Sequence, residues 1–161
     1  MFFHLVKRKA LIFDRYMRVY LESGRLYFFQ VGGDFYNRKA FEESMAGNII
    51  AIWLFQLPYY LATKKQKKRE LECDQLVHKK AFLSFLHKSS NFKIEIREIS
   101  KVELKAKNIF GQAFTNYSKF VLIEVNAGKV YRLDIPFGED VDKLICRIES
   151  AGIKIENKIL E

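Results

Sequence analysis

FKIEIREISKVELK, Phe92–Lys105, is the stretch on which the fold turns. Phe92, Ile94 and Ile96 alternate with Lys93, Glu95 and Arg97. Successive side chains of a strand point to opposite faces, so the pattern predicts a strand with one face on a core and one in water. Lys101–Lys107 (KVELKAK) repeats the alternation with Val102, Leu104 and Ala106.

Toward the C-terminus, Phe120–Val125 is apolar on both faces except at Glu124. A turn at 126–128 follows, and Lys129–Ile135 (KVYRLDI) returns as another strand. Pro136-Phe137-Gly138 ends it. A helix over 139–151 is expected next. Glu139, Asp140 and Asp142 suit its positive first turn, and Val141, Leu144, Ile145 and Ile148 make one apolar stripe. Toward the N-terminus, Tyr16–Glu22 and Arg25–Val31 read as a hairpin turned at Ser23-Gly24, with an earlier strand over Lys7–Phe13.

The middle third breaks the strand pattern. Residues 38–63 predict a helix that becomes apolar all round from Ile49 to Ala62, broken only by Gln56 and Pro58. Fourteen residues at about 1.5 Å each cover about 21 Å, less than the about 30 Å of a bilayer core. Pro58 is expected to kink or end the helix. A second helix over roughly 66–88 follows, its apolar side formed by Leu71, Leu76, Val77, Leu83 and Leu86.

In order, RLYFFQVGG (Arg25–Gly33), FKIEIREISKVELK and GKVYRLDIPFGEDVDKLICRIESAG (128–152) resemble the pleckstrin-homology-like superfold, and more closely its small bacterial, GRAM-like relatives. The resemblance covers about half the chain and rests on the order of the segments. It implies an α+β fold in a single domain, 1–161: a bent antiparallel sheet or β-barrel capped by a C-terminal helix. A helical hairpin over about 34–90 would be inserted between sheet segments 7–33 and 92–135. It further implies a non-catalytic binding or scaffold module. In lipid-binding eukaryotic members, basic residues of the first hairpin hold the phosphate head group. Arg15, Arg18 and Arg25 lie near that hairpin here, but the sequence does not fix their registers.

The 161 residues carry 28 basic and 19 acidic side chains, net +9, and the apolar fraction of 49% excludes wholesale disorder. Residues 61–90 alone hold 8 basic and 3 acidic groups, +5 of the total. An anionic partner is therefore allowed. Two cysteines and no recognisable leader point to a reducing, cytoplasmic setting. No catalytic constellation emerges. His78 and His87 are nine residues apart and face different ways, Cys73 and His78 lack a second pair for zinc, and Gly32-Gly33 is no phosphate loop. Asp34 fits a turn. No enzyme activity, metal or cofactor is expected.

The candidate site joins two neighbours in sequence. One is the apolar segment with Ile49, Ile50, Ile52, Trp53, Leu54, Phe55, Leu57, Tyr59 and Tyr60. The other is the basic run Lys64, Lys65, Lys67, Lys68 and Arg69, extended by Lys79 and Lys80. Aromatic rings beside lysines suit the surface of an anionic membrane. Three other readings stay open. The apolar helix packs on the sheet or on a second copy of the chain, as a soluble homo-oligomer; it spans a thin bilayer; or the basic run meets a nucleic acid. The last is disfavoured, because stacking platforms such as Tyr117 or Tyr131 are better explained as strand packing.

Overall fold

The computed structural model describes residues 2–10, 13–33, 36, 41–42, 48–107, 118–126 and 128–159. Three antiparallel strands come first: β1 (Phe2–Ala10), β2 (Phe13–Glu22) and β3 (Arg25–Gly32). The sequence reading merged the end of β1 with the start of β2. The register Phe2↔Tyr20 through Ala10↔Phe13 shows a hairpin there instead. Helix α1 (Ile49–His78) and the short α2 (Leu83–Leu86) follow. The chain then returns through β4 (Phe92–Glu95), a 3-10 turn (Ile96–Glu98), β5 (Ile99–Ala106), β6 (Lys119–Val125) and β7 (Val130–Asp134). Helix α3 (Val141–Glu149) and β8 (Ile155–Lys158) close the described chain.

All eight strands form one sheet in the order β4-β3-β2-β1-β7-β6-β5-β8. This corrects the expected antiparallel barrel. The sheet is open, with β4 and β8 at its edges, and it is mixed, because β8 runs parallel to β5 from Val102↔Ile155 to Lys105↔Lys158. Its two antiparallel halves meet at β1 and β7 through the single pair Val6↔Asp134. Side chains rather than a ladder bring β4 toward β7: the rings of Phe92 and Tyr131 stack at 5.2 Å, with the Lys7 ammonium 4.3 Å from the Phe92 centroid.

One apolar cluster joins the inner faces of both halves. Leu5, Met17, Val19, Leu26, Phe28 and Ile94 meet Val102, Leu104, Val121, Ile123 and Leu133, and Leu144 and Ile148 of α3 pack on them. Asp140 caps α3, its carboxylate accepting from the Asp142 and Lys143 amides at 3.1 and 3.2 Å, as the acidic first turn predicts. A second cluster covers the opposite face of β1–β3, where Val6, Tyr16, Tyr20, Tyr27, Phe29 and Val31 lie with Cys73 of α1, Phe82 and Tyr36. The aromatic hairpin is therefore buried on both faces.

The expected helical hairpin is also corrected. Helix α1 is a single element of 30 residues, about 45 Å long at about 1.5 Å per residue. It runs through Pro58, whose missing N–H forfeits one intrahelical bond. The boundary expected between a helix ending at 63 and one beginning near 66 lies in its middle. The start of the predicted helix at residues 38–40 and 43–47, and the turn at Asp34, fall outside the described residues.

Candidate functional site

Helix α1 has a docked half and a projecting half. The docked half begins at Gln66. Its amide donates to the Tyr36 carbonyl at 3.3 Å and to Glu70 Oε1 at 2.9 Å. A Cβ placed on Gly32 would lie 2.6 Å from Gln66 Oε1, so the bare glycine of β3 allows this close approach. One turn on, Arg18 of β2 reaches Glu70 Oε2 at 3.6 Å and Asp74 Oδ1 at 2.9 Å. Tyr20 donates to Asp74 Oδ1 at 2.6 Å. Arg18 is itself buried, its guanidinium 3.6 Å from the Phe2 ring centroid. Cys73 seats fully in the second cluster, and burial pushes its thiol up to about 12.

This docking fixes the rotational phase of the whole helix. Residues advance by about 100° each, so Gln66, Glu70, Cys73 and Val77 share one side with Ile52, Gln56 and Tyr59 of the projecting half. The latter three line a cleft with Phe41 and Glu42, where the Phe41 and Tyr59 rings stack at 4.7 Å. Asn48 caps the helix start, its side chain accepting from the Ile50 and Ala51 amides.

The opposite side is bare. Ile49 is 81% exposed, Trp53 74% and Leu57 65%, and Ile50, Leu54, Tyr60 and Leu61 are exposed with them. At about 100° per residue these seven fall within one sector about 140° wide. Lys64, Lys65, Lys67 and Lys68 continue the same sector toward the C-terminus, spread over about 160°, and all four are exposed. An apolar stripe thus runs directly into a cationic one on a single outward face.

Not every expected residue belongs to it. Ile52 and Tyr59 face Phe41 and are half-buried, and Arg69 is half-buried too. Phe55 is exposed but lies off the stripe. Lys79 and Lys80 are exposed beyond the helix end, about 16 Å along the axis from Lys68. Tyr131 is engaged with Phe92, and Tyr117 falls outside the described residues. Leu61 was within the quoted apolar segment and joins the face. The clamp of Arg18, Glu70 and Asp74 had no signal in sequence, because Arg18 lies 56 residues from Asp74.

Among the described residues, no helix is long and apolar enough to cross a membrane, and no group of three or more His, Cys, Asp or Glu side chains is placed to hold a metal ion. Comparison of the chain with protein-family models, with curated proteins and with solved structures finds no match.

Proposed function

We propose that this chain is a non-catalytic binding module that attaches reversibly to an anionic membrane surface through the outward face of α1. The observation that carries the reading is the shared sector of the apolar stripe and the four lysines. A helix lying in a bilayer interface needs both on one side, rings and aliphatic groups at the acyl boundary and cations at the head groups. Each lysine near an anionic leaflet contributes about 1 kcal/mol, so four give about 4 kcal/mol, millimolar binding by charge alone. Trp53, Leu54, Leu57 and Leu61 supply the remainder, at up to about 1.5–3 kcal/mol for each large side chain fully withdrawn from water. Nucleic acid fits less well, since the exposed rings of Trp53 and Tyr60 lie beside the cations rather than interleaved with them.

Flotation of the purified chain with anionic and neutral vesicles across a salt series tests this. Binding is expected to anionic vesicles, to weaken as salt screens the lysines, and to fall sharply in both a Lys64→Gln/Lys65→Gln/Lys67→Gln/Lys68→Gln variant and a Trp53→Ala/Leu57→Ala variant. These side chains are exposed, so the fold survives both changes. No flotation at low salt, together with a stable dimer that Trp53→Ala/Leu57→Ala dissociates, would overturn the reading and make the face a contact between two copies.

A further inference from the structure

A second cationic feature lies away from α1, at the junction of the two half-sheets. Arg8 of β1, Lys107 just beyond β5, and Arg132 and Asp134 of β7 line a cleft of about 310 Å³, near the lower end of the range for small-molecule sites. Leu133 between the last two points into the core, so the cleft opens on the opposite face of the sheet. None of Arg15, Arg18 and Arg25 lines it. Among the described residues, three cations and one carboxylate line it.

The pairing within the cleft is incomplete. Lys107 is buried, and its ammonium meets Asp134 Oδ2 at 3.0 Å. Burial is the largest influence lowering its pKa, and Arg8 and Arg132 add to it by repulsion, which places the three cations in one field. Asp134 is 4% exposed, yet its Oδ1 is buried without a hydrogen-bond donor. Arg8 Nε is buried and pairs with the Asp14 carboxylate at 3.4 Å, outside hydrogen-bond geometry. Arg132 lies over the Phe120 ring at 4.2 Å. Buried polar atoms are ordinarily satisfied, so a buried acceptor without a donor, set beside two guanidiniums, asks for a ligand that brings a proton as well as negative charge.

We propose that this cleft binds hydrogen phosphate or a phosphate monoester that carries a P–OH or a neighbouring hydroxyl, the guanidiniums of Arg8 and Arg132 meeting its anionic oxygens and Asp134 Oδ1 accepting from that hydroxyl. Arginine forks match phosphate oxygens. The carboxylate sets the selectivity. A fully ionised oxyanion such as sulfate has no proton to give and is repelled by Asp134, whereas hydrogen phosphate, or a monoester with an adjacent hydroxyl, donates to it. The proposal is independent of the reading of α1, because its first probes are soluble.

Titration calorimetry of the full chain with inorganic phosphate and with sulfate, at matched ionic strength in mildly alkaline buffer, tests it. Phosphate is expected to bind at least about tenfold tighter than sulfate, the cost of an unmet buried acceptor. Arg132→Gln, at an exposed position, keeps the fold and weakens phosphate binding by about tenfold or more. Asp134→Asn, whose amide donates, removes or reverses the preference for phosphate. Absence of phosphate binding, equal affinity for both anions, or an Arg132→Gln chain that binds as well as the parent would each overturn the proposal. Two further arms locate the source of the shared chemistry. Competition by soluble glycerol phosphate alone identifies a free monoester. A preference for phosphatidic acid over phosphatidylglycerol vesicles, retained in the Trp53→Ala/Leu57→Ala variant, identifies a lipid head group.

Discussion

The clamp that seats α1 on the sheet is asymmetric, and the asymmetry predicts which of its members matters most. The Arg18 side chain is only 7% exposed, whereas Glu70 is 23% and Asp74 45% exposed. Converting the carboxylates together, Asp74→Asn with Glu70→Gln, strands a buried guanidinium whose Nε already lacks a partner. Stranding a buried charge costs about 3–5 kcal/mol. Arg18→Met does the reverse. It leaves two carboxylates that water can reach, so the lost ion pair is worth on the order of 1 kcal/mol. The lost contact with the Phe2 ring adds about 1 kcal/mol. Methionine fills the space and removes the unpaired Nε. The net cost of Arg18→Met is therefore about 1–2 kcal/mol, and the carboxylate variant is the less stable by about 1–4 kcal/mol. Urea unfolding of the full chain followed by far-ultraviolet circular dichroism gives both numbers, with unchanged slopes confirming that the denatured state is comparable. If Arg18→Met destabilises as much as the carboxylate pair, the buried guanidinium is not the element that holds the balance, and the reasoning fails.

Two further predictions follow from the same docking. Gly32→Ala should cost about 1–2 kcal/mol, because its methyl displaces the Gln66 amide from the Tyr36 carbonyl. Gln66→Ala in the same chain should absorb most of that cost, so a double-mutant cycle in denaturant shows coupling rather than additivity. The Cys73 thiol, pushed up to about 12 by burial, stays protonated and inert in the folded chain, while Cys146 is exposed on α3. A thiol reagent at neutral pH should titrate one group per native chain and two in denaturant, and a second group reacting at the native rate would contradict the seating of α1.

Much of the sheet was readable because its signals are local. Phe92, Ile94, Val102 and Leu104 alternate with charged neighbours and take the inward places the alternation selects, whereas Ile96 falls in the 3-10 turn and Ala106 at the end of β5 is exposed. The C-terminal helix carried its own cap and stripe. Closure was not readable. Whether a sheet becomes a barrel depends on pairing between strands far apart in sequence, and here β1 and β7 share one pair while β4 and β7 share only ring contacts. Strand β8 had a faint signal in the alternating Ile153 and Ile155. What holds it, though, is remote. Glu103 of β5 takes the ammonium groups of Lys101, Lys105 and Lys158 at 2.8–2.9 Å, and these contacts hold its carboxyl well below the usual carboxylate range.

The candidate site shows a different kind of limit. A segment apolar all round has no preferred face of its own, so Ile49–Ala62 alone cannot say which residues meet water. The choice is made more than a turn away. Gln66, Glu70, Cys73 and Val77 commit one side of α1 to the sheet, and the rigid advance of about 100° per residue carries that commitment back through Tyr59 and Ile52. Trp53, Leu57 and Leu61 then point outward because Cys73 points inward. Lys64 and Lys68 share their side for the same reason. Had Pro58 ended the helix, as its chemistry suggested, the two halves would have been free to take different phases. The continuity of α1 through that proline is what turns an apolar run and a basic run into a single face.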